Sequence, residues 1–217
     1  MTDGLSAARP YKFPLIIGLA VAALMALVIW NAGVSDDAYI SFRVADNAAH
    51  GYGLRWNTDE RVQGFTNPLW TLLHIPFLLV WENVYDVTIA LSLLCTLAAV
   101  VIALRTFPSH SLPAFAGFVL PLCLSYSFIS HSTSGLENPL SHALFACFGY
   151  ILFRQDKRFF WFWLALFSGL SVFNRMDLIL FYAPIMSWLI IRHFRQAHRM
   201  NAELEMRVAE RTAELAR

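Results

Sequence analysis

The sequence predicts an all-α membrane protein with about six transmembrane helices, a long first outer loop holding interfacial helices, and a charged C-terminal helix. Three observations predict it: the composition, the apolar runs and the placement of the basic residues. Of 217 residues, 58% are hydrophobic and 14% charged. A soluble domain carries about 45–50% apolar and about 25% charged residues. Lipid gives no reward for a charged surface, so spanning helices can be apolar all round. The net charge of +1 offers no basic field for nucleic acid. Cys95, Cys123 and Cys147 each lie inside an apolar run, without zinc-site spacing, and read as small hydrophobes rather than disulfide partners.

The apolar runs are Phe13 to Trp30, Val87 to Leu104, Leu112 to Ile129, Leu136 to Phe153, Phe159 to Phe173 and Leu178 to Ile191. Most reach or approach the roughly 17–25 residues that span a bilayer. The first follows Arg9 and Lys12 and outlasts a signal-peptide core, so it reads as an uncleaved first span. A further run, Pro68 to Trp81, is short, starts with proline and holds His74 and Pro76. If it does not span, Arg105, then Arg154, Lys157 and Arg158, then Arg192, Arg195 and Arg199 all fall in cytoplasmic loops. That agrees with the excess of Lys and Arg on the inner side. The organisation expected is therefore a cytoplasmic N-terminus (1–12), a transmembrane domain (13–194) with a first outer loop (32–67) and an interfacial segment (68–81), and a cytoplasmic amphipathic helix (195–217). Both termini are cytoplasmic in this multi-pass arrangement. In the tail, Leu204, Val208, Arg211 and Leu215 follow a heptad-like spacing that Arg211 weakens, and a homodimer through this helix is one expectation.

This topology gathers three polar clusters on the outer side. The first opens with Ser35-Asp36-Asp37-Ala38-Tyr39-Ile40-Ser41-Phe42-Arg43. Acids so close to hydrocarbon are costly and usually signal pairing or function. As N-caps, Asp36 or Asp37 would accept backbone N–H bonds of a helix from Ala38 to His50, amphipathic through Ile40, Val44 and Ala48. As catalysts, the pair would bind a divalent metal or take a proton from a hydroxyl. The residues favour the cap for at least one of them, and the two roles are compatible. Trp56, Phe65 and Trp70 read first as interface anchors, with sugar stacking as the alternative. The second cluster, His131 to Pro139, places Glu137 at the mouth of a helix, as a dipole partner, a ligand or an acid. The third, Asn174-Arg175-Met176-Asp177, holds an arginine suited to phosphate, or to an ion pair with Asp177 or Glu137. His50, His74 and His131 lack ligand spacing and read as packed or interfacial residues.

The run Asp36 to Arg43, then Gly51-Tyr52-Gly53-Leu54, Asn57, Glu60-Arg61-Val62 and Gly64-Phe65-Thr66-Asn67-Pro68-Leu69-Trp70, resembles the first outer loop of bacterial GT-C-type glycosyltransferases, the arabinofuranosyltransferase-like and mannosyltransferase-like members in particular. Thr133-Ser134-Gly135-Leu136-Glu137 and Asn174-Arg175-Met176-Asp177 resemble later motifs of that family, in the same order. The resemblance covers roughly Ser35 to Tyr182.

It implies an inner-membrane enzyme that passes a sugar from a polyprenyl-phosphate carrier to a glycan or lipid acceptor on the periplasmic face. On that reading Asp36 and Asp37 are the base and its neighbour, with Mg or Mn as an optional metal between them. Arg43, Glu137, Arg175 and Asp177 are the substrate-binding residues, Arg175 toward the carrier phosphate. The chain departs from the family in Met176, where a proline more often follows the arginine, and in ending after six expected spans, which implies a truncated or rearranged product. Its tail, Asn201 to Leu215, resembles the connecting helix ahead of sensor histidine kinase domains. A non-catalytic membrane sensor or scaffold, or an inactive transferase, is the competing expectation.

Overall fold

The computed structural model describes residues 12–60, 62, 64–106, 112–154 and 159–215. The N-terminal segment through Tyr11, the basic residues Lys157 and Arg158, and the last two residues lie outside them. Among the described residues the regular structure is entirely helical. The chain forms two compact units, Met1–Met176 and Asp177–Arg217.

The first unit holds α1 (Lys12–Trp30), α2 (Ala38–Ala49), α3 (Pro68–Leu78), α4 (Val84–Thr106), α5 (Leu112–Leu124), α6 (Tyr126–His131), α7 (Asn138–Phe153) and α8 (Phe160–Asn174). Its centre is the layer in which α4 packs on α7 and α7 on α8. Thr88, Ser92 and Thr96 recur every four residues along α4 and are fully buried. Residues this small let a helix approach its neighbour closely, the usual device where lipid removes the hydrophobic drive for association. The α2–α3 pair packs beside this layer, and a core of Ala45, Trp70, Leu78, Val87 and Leu91 joins the two.

Among the described residues two helices are long and apolar enough to cross a membrane, Val84–Thr106 and the stretch Met176–Leu215. Pro14–Trp30, Pro68–Leu78, Phe115–Leu124, Asn138–Phe153 and Phe160–Asn174 are apolar but shorter. At 1.5 Å per residue, the 16 residues of α7 extend about 24 Å, against a hydrocarbon core of about 30 Å.

Three expectations about the elements need correction. The run Leu112 to Ile129 is not one helix. It breaks at Ser125, whose backbone is extended (φ −82°, ψ 101°) and whose hydroxyl accepts the Phe128 N–H to start α6. The buried face of α2 is not the Ile40–Val44–Ala48 line. Ala38, Ser41, Phe42, Val44 and Ala45 are buried, while Ile40 is exposed. Ala38 and Phe42 face the Gly135 turn, and the Ser41 hydroxyl reaches Asn67. Lastly, no boundary separates the final apolar run from the charged tail: after a 3-10 turn at Met176–Leu178, the second unit continues as one helix, α9 (Ile179–Leu215).

Candidate functional site

The three polar clusters are drawn together by short backbone devices. Asn67 precedes Pro68, and the residue before a proline is held out of the α region. Its backbone (φ −122°, ψ 68°) turns the chain into α3, and its side chain is 4% exposed. Gly135 sits at φ +81°, a conformation that disfavours any side chain, in the turn ahead of α7. A Cβ there would meet the Ala38 Cβ at 2.7 Å and both Phe42 Cζ and Val34 Cγ1 at 3.0 Å. The close approach is sealed from both sides: the Ser35 N–H donates to the Ser134 carbonyl at 2.8 Å, and the Trp70 indole N–H donates to the Gly135 carbonyl at 2.9 Å.

On this scaffold Asn67 and Glu137 form the centre of a hydrogen-bond network. The Asn67 Oδ1 accepts the hydroxyls of Ser41 (2.9 Å) and Thr71 (3.0 Å). Its Nδ2 donates to Glu137 Oε2 at 2.8 Å. The other carboxylate oxygen, Oε1, faces Arg175 Nε at 3.5 Å, with the Glu137 side chain 14% exposed and that of Arg175 37%. Arg175 also donates to Asn138 Oδ1 at 3.3 Å. Asn174, fully buried, donates to the Glu137 carbonyl (3.1 Å) and the Ser141 hydroxyl (2.9 Å). Thr133 Oγ1 and Asn174 Oδ1 are buried at this end without a hydrogen-bond partner. Glu137 stands at the N-cap position of α7 yet makes no side-chain cap bond, because its carboxylate is turned sideways into the network. Of the readings open for Arg175, the ion pair with Glu137 is present.

The acids of the first loop behave differently. Asp36 and Asp37 are exposed, and neither caps α2 through its side chain. This corrects the capping expectation. Asp37 is already in α conformation (φ −59°, ψ −28°), and the first N–H groups of α2 bond to the carbonyls of Ser35, Asp36 and Asp37 instead. The Asp36 Oδ1 accepts the Ser35 hydroxyl (3.2 Å) and the Asp37 N–H (3.1 Å). The Asp37 carboxylate makes no hydrogen bond among the described residues and is open to solvent. Among the described residues no group of three or more His, Cys, Asp or Glu is placed to hold a metal.

Arg43 is committed to its own loop. Its Nε donates to the Trp56 carbonyl at 2.9 Å, its terminal nitrogen to Asn57 Oδ1 at 3.2 Å, and its guanidinium lies 4.9 Å from the Trp56 ring centre. Trp70 is no surface anchor, being fully buried. Asp177, exposed, opens the second unit, while the other sequence-predicted site residues belong to the first.

His74 pins α3 to α4. Its Nδ1 lies 2.8 Å from the Trp70 carbonyl, which can only accept, so Nδ1 carries the proton. Its Nε2 then accepts the Thr88 hydroxyl at 2.9 Å. Burial keeps this imidazole below its ordinary pKa and therefore neutral.

Ser41, Asn67 and Asn174 belong to the site without standing out in the sequence. The Asn-Pro step at Asn67 and the polar pair Asn174-Arg175 at the end of an apolar run were the available signals. Comparison with protein-family models, curated proteins and solved structures gives no match for this chain.

Proposed function

We propose that the chain is a multi-pass membrane transferase of the GT-C type, taking a sugar from a polyprenyl phosphate on the outer face of a bacterial inner membrane. The observation that carries this reading is the convergence of three sequence clusters, far apart in the chain, on one hydrogen-bonded end of the fold: Ser35–Phe42 with Asn67, Ser134–Glu137, and Asn174–Arg175. On this reading α1, α4, the α5–α6 pair, α7, α8 and the apolar start of α9 cross the membrane, and α2 and α3 lie at its outer surface. The shorter crossings are met by local thinning of the bilayer.

In the reaction an acceptor hydroxyl attacks the anomeric carbon of the donor. The new C–O bond forms as the bond from that carbon to the carrier phosphate breaks, and the phosphate leaves with the electron pair. The hydroxyl proton passes to Asp37, whose carboxylate is uncommitted, with Asp36 held beside it by Ser35. Arg175 sits half-exposed and stabilises the departing phosphate, and Glu137 holds that guanidinium in place. A divalent metal, where used, would be held by Asp36 and Asp37.

The test uses membranes holding the full chain, supplied with polyprenyl-phosphate mannose or polyprenyl-phosphate arabinose. Asp36→Asn and Asp37→Asn should both fold, and at least one should lower transfer by about 100-fold or more. Wild-type transfer from both variants would reject the reading. A second reading, a sensor or scaffold that dimerises through its tail, is favoured by the exposure of Leu204, Val208 and Leu215 along α9. Cysteines at positions 204 and 208, but not at 205, should then crosslink between copies.

A further inference from the structure

At the end of the α4–α7–α8 layer away from Asn67 and Glu137, the last turn of α4, the last turns of α7 and the first turns of α8 enclose an open groove of about 440 Å³. Its walls are Ile102, Cys147, Ile151, Trp163 and Phe167, and Arg105 stands in its lining. Two observations say what occupies it. The walls are apolar or aromatic, so the groove is a poor site for water or a small polar solute. Arg105 is exposed and makes no hydrogen bond or ion pair with the described residues, which places a guanidinium at the rim of an apolar trough. Arg154 adds a second cation next to the same wall, its guanidinium 4.6 Å from the Tyr150 ring centre.

We propose that this groove is a lipid site that seats one acyl chain of an anionic phospholipid against Cys147, Ile151 and Phe167 and holds its phosphate at Arg105. A guanidinium binds phosphate through paired N–H donors and keeps its charge in any surroundings. The aromatic walls at Trp163 and Tyr150 match the side chains that favour the headgroup boundary. A zwitterionic lipid fills the same trough but brings its own cation toward Arg105, which lowers its affinity. The inference rests on the membrane reading of the chain and not on sugar transfer.

The experiment uses the full chain purified in mild detergent and mixed with phosphatidylglycerol or phosphatidylcholine, with bound lipid counted by intact-complex mass spectrometry. The wild-type chain should retain phosphatidylglycerol about tenfold more strongly, and Arg105→Gln should abolish that preference. Arg207→Gln, on the exposed tail, should leave it unchanged. In a chain whose other cysteines are replaced (Cys95→Ala, Cys123→Ala), phosphatidylglycerol should slow maleimide labelling of Cys147. Equal retention of the two lipids, or a preference that survives Arg105→Gln, overturns the lipid site alone. A chain that alkaline carbonate strips from vesicles overturns the membrane reading together with it.

Discussion

The two ends of the α4–α7–α8 layer use the same kinds of residue to opposite effect. At one end Asn67, Glu137, Asn174 and Arg175 answer one another within 2.8–3.5 Å, and the arginine faces a carboxylate. At the other, Arg105 faces an open groove and has no such partner among the described residues. The difference shows how an arginine's surroundings assign its work. A paired guanidinium holds a geometry, since its directional N–H donors fix the carboxylate it faces. One beside apolar walls, with no partner among the described residues, is the kind of group that an anion from outside could engage. The networked end should therefore be intolerant of substitution and the groove end forgiving.

The largest effect expected is at Gly135. Gly135→Val combines a forbidden positive φ with a Cβ 2.7 Å from that of Ala38, and should cost about 3 kcal/mol or more. Thermal unfolding of the detergent-solubilised chain measures it, and a loss near zero would mean that the turn does not hold the loop. Next comes Asn67→Leu, which leaves Glu137, Ser41 and Thr71 without their shared partner. It should cost about 2 kcal/mol. Denaturant titration reads this directly.

A smaller change follows from His74. Its folded-state pKa is lowered, so the unfolded chain binds the extra proton first. Stability is therefore complete above the ordinary histidine value of 6.5 and declines as pH falls below it toward the lowered folded value. His74→Gln should flatten that part of the pH–stability curve; an unchanged slope would assign it to another group. The smallest effect is expected in the groove, where Cys147→Val keeps volume at a half-buried site and should shift stability by less than about 1 kcal/mol. A cost there equal to that of Asn67→Leu would erase the contrast between the two ends.

The all-helical class was legible in the sequence because long apolar runs leave the backbone no other common solution. The starts of α1, α3 and α7 were legible to within a few residues, marked by proline or a polar turn. The break at Ser125 was hidden, because it falls inside a mostly apolar run where a serine carries no special signal until its hydroxyl caps α6. The buried face of α2 was hidden for a related reason. Counting apolar residues favours Ile40, whereas the face is chosen by what fits against Gly135 and by what bonds Asn67. Glu137 and Arg175 stood out because charges beside apolar runs are conspicuous. Their partner Asn67 did not, since an uncharged amide gives no such signal until a tertiary contact buries it.

The unbroken course of α9 has a mechanical consequence. Its 37 residues extend about 55 Å, with no glycine anywhere and no proline beyond Pro184. A helix without those interruptions resists bending and twisting, since each turn is tied to the next by backbone hydrogen bonds. A small rotation about the axis near Trp188 is therefore delivered almost undiminished to Leu204, Val208 and Leu215. These three residues, exposed on the charged half, thus keep a fixed bearing relative to the apolar half.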